Sequence, residues 1–217
     1  MLNVTELVGF GVGGNTAPTL TFNQVWSYFP GGGLSGRSIT MNIGAPGVGR
    51  KVIVIITSND GIPHSITGTP TLNGVPMTPL VQQNGVRMPA GVWIILEPSS
   101  NTTGVVSWTT NDGDVDGQQC ATYSLYGSQA LLPDFSQALF YGGASVSVTE
   151  SGVTLIAVSW SWQASAGAYS APLTPDVTNA YAQGLLSCGH GENIGPVVIS
   201  PGLSVPYNGG LYVAYWR

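Results

Sequence analysis

KVIVIITS, residues 51–58, is the stretch on which the fold turns. Its residues are apolar at odd and even positions alike through Ile56, and β-branched almost throughout. A half-buried strand alternates apolar and polar residues; a run apolar on both faces belongs to a strand covered on both sides. SGVTLIAVSWSWQ, residues 151–163, reads the same way until Ser159. From there Ser159 and Ser161 alternate with Trp160 and Trp162, so one face is expected to turn polar while two indoles continue on the other. These two segments are expected to be interior strands. LYVAYWR, residues 211–217, ends the chain on a third aromatic-rich strand, expected to be paired rather than frayed.

Outward from these, short β-like runs are separated by turn residues at sandwich-like spacing. They are Thr19 to Val25, Ser38 to Ile43, Thr69 to Leu72, Val75 to Val81, Val92 to Leu96, Gly104 to Thr109, Gln119 to Tyr126, Ser145 to Thr149 and Val197 to Ile199. Leu72-Asn73-Gly74-Val75 is the strongest hairpin signal, because both central positions of a type I′ turn need positive φ. Glu150-Ser151-Gly152 is a second turn. No window holds the i, i+3, i+4, i+7 pattern over three turns. Between Ala164 and Gly195 periodicity is weak, and long loops or a short helix around Thr178 to Leu186 are expected. The fold class is therefore all-β with very little helix: one antiparallel β-sandwich, jelly-roll or immunoglobulin-like, over residues 17–217, after a flexible Gly-rich arm over 1–16.

Charged residues make up 7% of the chain, against roughly 25% in an average soluble domain. The surface is thus polar but mostly uncharged, a poor basis for keeping single copies apart by repulsion, and self-association or assembly on a larger body is expected. Five scattered cations, Arg37, Arg50, Lys51, Arg87 and Arg217, form no basic stripe, which argues against nucleic acid as a partner. No apolar stretch reaches eighteen residues, so membrane insertion is not expected, and the start lacks the features of a signal peptide, so synthesis in the cytoplasm is. Cys120 and Cys188 have no CxxC spacing and read as two buried reduced thiols.

Few residues carry chemistry. Gly9 to Gly14 formally matches GxGxxG but lacks the strand, helix and acidic residue of a dinucleotide site. Asp112, Asp114 and Asp116 copy the first half of a calcium loop; Tyr123 stands where the bidentate Glu belongs, so a solvated hairpin tip is the plainer reading and calcium the only cofactor to consider. His64 and His190 are the only imidazoles, and neither lies in a nucleophile motif. Cys188-Gly189-His190-Gly191-Glu192 brings a thiol, an imidazole and a carboxylate within five residues. Glu97, Glu150 and the Asp triplet show no spacing that singles out a glycosidase pair. Trp93 and Trp108 read as core. Core packing is the plainer expectation for every aromatic, but Trp26, Tyr28 and Phe29, and Trp160, Trp162 and Trp216, are those able to reach a surface, with Trp26, Tyr28, Trp160 and Trp162 the candidates for a glycan or partner contact.

The order LVGFG, RKVIVI (50–55), TGTPTLNGVPMT (67–78), GVWIILEPSSNTTGVVSWT, CATYSLYG, SGVTLIAVSWSW and a closing LYVAYWR resembles small β-sandwich virion proteins of tailed bacteriophages and gene-transfer particles. The likeness is one of strand grammar and includes neither the Asp112 loop nor Cys188 to Glu192. It implies a β-sandwich at the particle surface and does not decide among head decoration or spike, tail-fibre and tail-tip roles; the first expectation is a structural, non-enzymatic virion protein, a homo-oligomeric capsid decoration or head-spike subunit held to other virion proteins. Two other functions compete: a tail-fibre or receptor-binding protein that holds host surface glycans, and a carbohydrate-active or metal-dependent enzyme.

Overall fold

In a computed structural model the chain is described over residues 18–28, 36–60, 62–111, 117–140, 145–162, 165–166, 169, 172–181, 184–200, 203–204 and 207–217. Among these residues there is no helix. The strands of the first half are β1 (Thr19–Tyr28), β2 (Gly36–Asn42), β3 (Lys51–Asn59), β4 (Ile66–Leu72), β5 (Val75–Pro76), β6 (Thr78–Gln83), β7 (Ala90–Leu96), β8 (Thr103–Thr110) and β9 (Gly117–Tyr126). Those of the second are β10 (Phe135–Phe140), β11 (Val146–Val148), β12 (Val153–Trp162), β13 (Ser165–Ala166), β14 (Thr174–Tyr181), β15 (Gly184–Ile194), β16 (Val197–Ile199), β17 (Leu203–Ser204) and β18 (Tyr207–Trp216).

The expected all-β antiparallel architecture is what the chain forms, with more layers than a single pair of sheets. The first half builds a five-stranded sheet, β1-β9-β3-β7-β6, and a four-stranded one, β2-β8-β4-β5. The second half builds another five-stranded sheet, β10-β18-β12-β15-β14, with the short pairs β11-β16 and β13-β17. All these pairings are antiparallel. Counted from the start of each half, the strand orders are similar, with small offsets. In each large sheet the first strand lies beside the last, the last beside the third, and the third beside a closing antiparallel pair, β7-β6 or β15-β14. In the smaller sheets the second strand again pairs with the late strand, β2 with β8 and β11 with β16, and the fourth pairs next, β4 with β8 and β13 with β17.

Three apolar clusters bind the layers. Met41, Val54, Ile56, Trp93, Val106 and Trp108 lie between the two sheets of the first half. Ile53, Ile55, Val92 and Tyr123 from the other face of β3, β7 and β9 meet Ile156, Val158, Trp160, Tyr212 and Trp216, which joins the two large sheets face to face. Leu155, Ala157, Val213 and Tyr215 turn the opposite way, against Val146, Val148 and Ile199 of β11 and β16. β3 and β12 are therefore covered on both faces, as their composition requires. Arg50, fully buried, fastens the loops at one end of β3. Its guanidinium donates to the carbonyls of Gly44 (2.8 Å), Asn101 (2.9 Å) and Ser99 (3.2 Å), and its Nε to that of Glu97 (3.2 Å).

The Asn73-Gly74 hairpin is present, with φ of 52° and 79° at its central residues. Three expectations are corrected. The described residues of 178–186 form no helix: β14 and β15 run antiparallel through Tyr181↔Gly184, because Val177, Leu186 and Cys188 share a face that β12 and the first half cover. Trp160 and Trp216 reach no surface; both are fully buried in the core shared by the two large sheets. Nor does the Ser159 face of β12 open to solvent, since the Ser159 hydroxyl is bonded to the Tyr169 hydroxyl (2.9 Å), which donates to the Ser187 carbonyl (2.9 Å). Gly210, opposite Trp160, leaves room for the indole: a Cβ there would come within 2.5 Å of it. The arm over 1–16 and the glycines at 31–35 lie outside the described residues.

Two stability measurements check this packing. Trp160→Ala is expected to cost about 3–5 kcal/mol in urea unfolding, whereas Trp160→Phe keeps most of the ring but strands the buried Gln83 acceptor, costing about 1–3 kcal/mol. Arg50→Leu leaves four inward carbonyls unpaired and is expected to cost at least about 3 kcal/mol by the same assay.

Candidate functional site

The two halves are stitched by hydrogen bonds as well as by apolar contact. On β15, Cys188, His190 and Glu192 alternate onto one face. Asp176 on β14 receives two donors at one oxygen: the Tyr123 hydroxyl from β9 at 2.8 Å and His190 Nδ1 at 2.7 Å. Glu192 accepts the Leu20 backbone N–H at 2.9 Å, Thr154 Oγ1 donates to the Pro18 carbonyl, and Trp160 Nε1 donates to Gln83 Oε1 at 2.8 Å. Asp176 and Tyr123 are the residues that sequence reasoning missed. The signal for Tyr123 was its place on the apolar alternation of Ala121, Tyr123 and Leu125; nothing in the sequence joined Asp176 to His190.

Bonding to Asp176 raises the His190 imidazole above its ordinary value, outweighing the opposing effect of burial. Burial first, then the charges of Cys188 and Asp176, hold the Tyr123 phenol well above its ordinary range. Burial likewise pushes the thiols of Cys188 and Cys120 up, so neither is a ready nucleophile. The two thiols are free and lie on opposite sides of the first large sheet, Cys120 in the core of the first half and Cys188 in the core between halves. The cluster of residues 188–192 thus works as a seam.

A second histidine pair has the spacing of a nucleophile and its base: His64 Nε2 and Ser58 Oγ are 2.9 Å apart. Both side chains are buried, at 2% and 0% exposure, so no acyl group can approach Ser58. Glu97 accepts the Ser99 N–H in the first half and Glu150 meets Arg217 in the second, so these carboxylates do not form a pair. Among the described residues no three His, Cys, Asp or Glu side chains are grouped as a metal site would need. Asp112, Asp114 and Asp116 lie outside the described residues.

Of the aromatics proposed for a surface, Trp26 and Tyr28 come together. Their rings are stacked at 5.8 Å with 5° between planes, both half-buried at one end of β1. Arg37 on β2 lays its guanidinium 3.5 Å from the Tyr28 ring centre and 5.9 Å from that of Trp26. Trp26 also meets Trp108 edge-on at 6.1 Å. Trp162 is half-buried, its indole 4.2 Å from the Arg87 guanidinium. Phe29 lies outside the described residues.

The same end of the first half holds an unusual density of unsatisfied polar atoms. Among the described residues, Gln118 Oε1 and Nε2, Gln119 Oε1, Asn59 Oδ1, Gln83 Nε2, Trp108 Nε1 and Arg37 Nε are buried without a hydrogen-bond partner. The register explains their nearness: Tyr28 lies opposite Gln118, and Ser27, Gln119, Thr57, Ala90 and Gln83 are successive cross-strand partners over β1, β9, β3, β7 and β6. Buried polar groups are ordinarily paired with protein or with ordered water.

No family model matches this chain, and neither a curated protein nor a solved structure matches it. No helix of the described residues is long and apolar enough to cross a membrane.

The His190 pair has a definite pH signature. Its folded-state pKa lies above the ordinary 6.5, so its stabilisation is complete on the acid side of 6.5 and fades as pH rises through the raised value. Wild type is expected to exceed His190→Gln in urea stability by roughly 1 kcal/mol at pH near 6, with the gap closing at pH near 9. A gap that is constant or widens with pH would contradict the assignment.

Proposed function

We propose that this chain is a structural, non-enzymatic surface protein of a tailed-phage particle, a capsid decoration or head-spike subunit that acts by adhesion and display. The observation that carries the reading is a similar strand order in the two halves. In each half the first, last and third strands share a large sheet with a closing pair, while the second and fourth strands pair with late strands, within one four-stranded sheet in the first half and in two short pairs in the second, an arrangement that supports a jelly-roll reading. We take each half to be a jelly roll, a form that recurs in viral capsid and lectin domains. The low charge supports the same reading, because an uncharged polar surface favours assembly through shape and hydrogen bonding over electrostatic steering. A homo-oligomer fixed to other virion proteins follows from both.

Cryo-electron microscopy of purified particles that carry the protein tests this directly. Density for two stacked sandwiches is expected on the head lattice, repeated about its symmetry axes. Density confined to the tail would transfer the protein to receptor binding, and its absence from the particle would end the structural reading.

A further inference from the structure

We infer that the outer face of the β2-β8-β4 sheet carries a binding site for an uncharged saccharide chain, in the groove where β4 departs from β8. Thr67 of β4 pairs with Thr109 and Thr71 with Ser107, so three residues of β4 stand against one of β8. The bulge leaves a groove of about 440 Å³, within the 300–1,000 Å³ range of small-ligand sites. Gly68, at φ +66°, forms part of its wall, and a Cβ there would meet nothing nearer than Thr109 Oγ1 at 3.9 Å, so the wall is open.

The lining fixes the ligand class. Ser38, Thr67, Thr69, Thr71, Ser107 and Thr109 all contribute to it, with Arg37 and Trp108 beside them and no carboxylate or aliphatic side chain. Hydroxyls both donate and accept, so a row of them complements a ligand whose own groups are hydroxyls. Two pairs are already set in place: Ser38 with Ser107 at 2.8 Å, and Thr67 with Thr109 at 3.0 Å. An anion would need a cation free to meet it, but the one guanidinium at the groove is held over the rings of Tyr28 and Trp26. The inference goes beyond the particle reading and does not rest on it, since binding is a property of the isolated full chain.

The test is calorimetric titration of the full chain with hexasaccharides of glucose, mannose, galactose and N-acetylglucosamine, and with heparin hexasaccharide as the anionic comparison. At least one neutral hexamer is expected to bind. Thr69→Val with Thr71→Val keeps side-chain shape while removing two hydroxyls, and is expected to weaken that binding at least tenfold with an unchanged unfolding midpoint. Thr40→Val, on β2 of the same sheet but away from the groove, is expected to bind as wild type does. Failure of every neutral hexamer at millimolar concentration, binding of heparin alone, or full binding by the double variant would each overturn the assignment.

Discussion

The structure depends on one constraint: a sheet sandwiched between two others has no solvent face on which to put a polar residue. Both large sheets are in that position. Each central strand must supply apolar side chains in both directions, and any polar group it does carry must find a partner inside. This is why β3 and β12 are so rich in Val and Ile, and why Ser159 and Tyr169 bond to each other rather than to water. It also explains why the chain can do without charge. Its layers are held by area buried on four successive sheet faces, with ion pairs almost irrelevant to the body of the molecule.

The same constraint concentrates polar function at the ends and the outer faces. The first half places Gln118, Gln119 and Asn59 at one end of its central sheet, where apolar packing gives way. It places its threonines and serines on the outer face of the smaller sheet, where they pair across strands without needing to be covered. Where the two halves meet, the polar contacts are few: the bonds of Glu192, Thr154 and Trp160 to the first half, and the Tyr123, Asp176 and His190 chain. There one carboxylate serves a donor from each half, and its pairing fixes how the sheets are rotated against one another as well as how tightly they pack.

Much of this was legible in the sequence because strand grammar is local. The doubly apolar runs located β3 and β12, the Asn73-Gly74 turn located its hairpin, and Val197 to Ile199 was bounded as it stands. The failures share one cause, which is that burial on a second face is a long-range fact. Trp160 and Trp162 look alike in an alternating pattern, yet one lies wholly within the inter-sheet core and the other half outside it. The β14-β15 hairpin carries Ala, Gln and Leu in a helix-like mixture, and only the waiting edge of β12 makes it a strand pair. Phe135 to Phe140 was invisible because an edge strand with one partner needs little apolar patterning. The candidate groove could not be read at all, since a bulge that offsets β4 from β8 leaves no mark beyond a glycine among threonines. That a similar strand order occurs twice was equally hidden: the halves share much of their connectivity and not their residues.

The pairing of first strand with last, in both halves, bears on how the protein is made. β1 has no neighbour in its sheet until β9 has been synthesised, and β10 none until β18 has. Neither half can zip up progressively from its beginning; each waits for its closing strand and then becomes complete at once. On a ribosome the first half reaches that point while the second is still being translated, and its large sheet then offers an exposed apolar face for the rest of the synthesis. A second half that closes later would then find a ready-made apolar template, and the interval between the two closures is when the chain is most exposed to sticking to its neighbours.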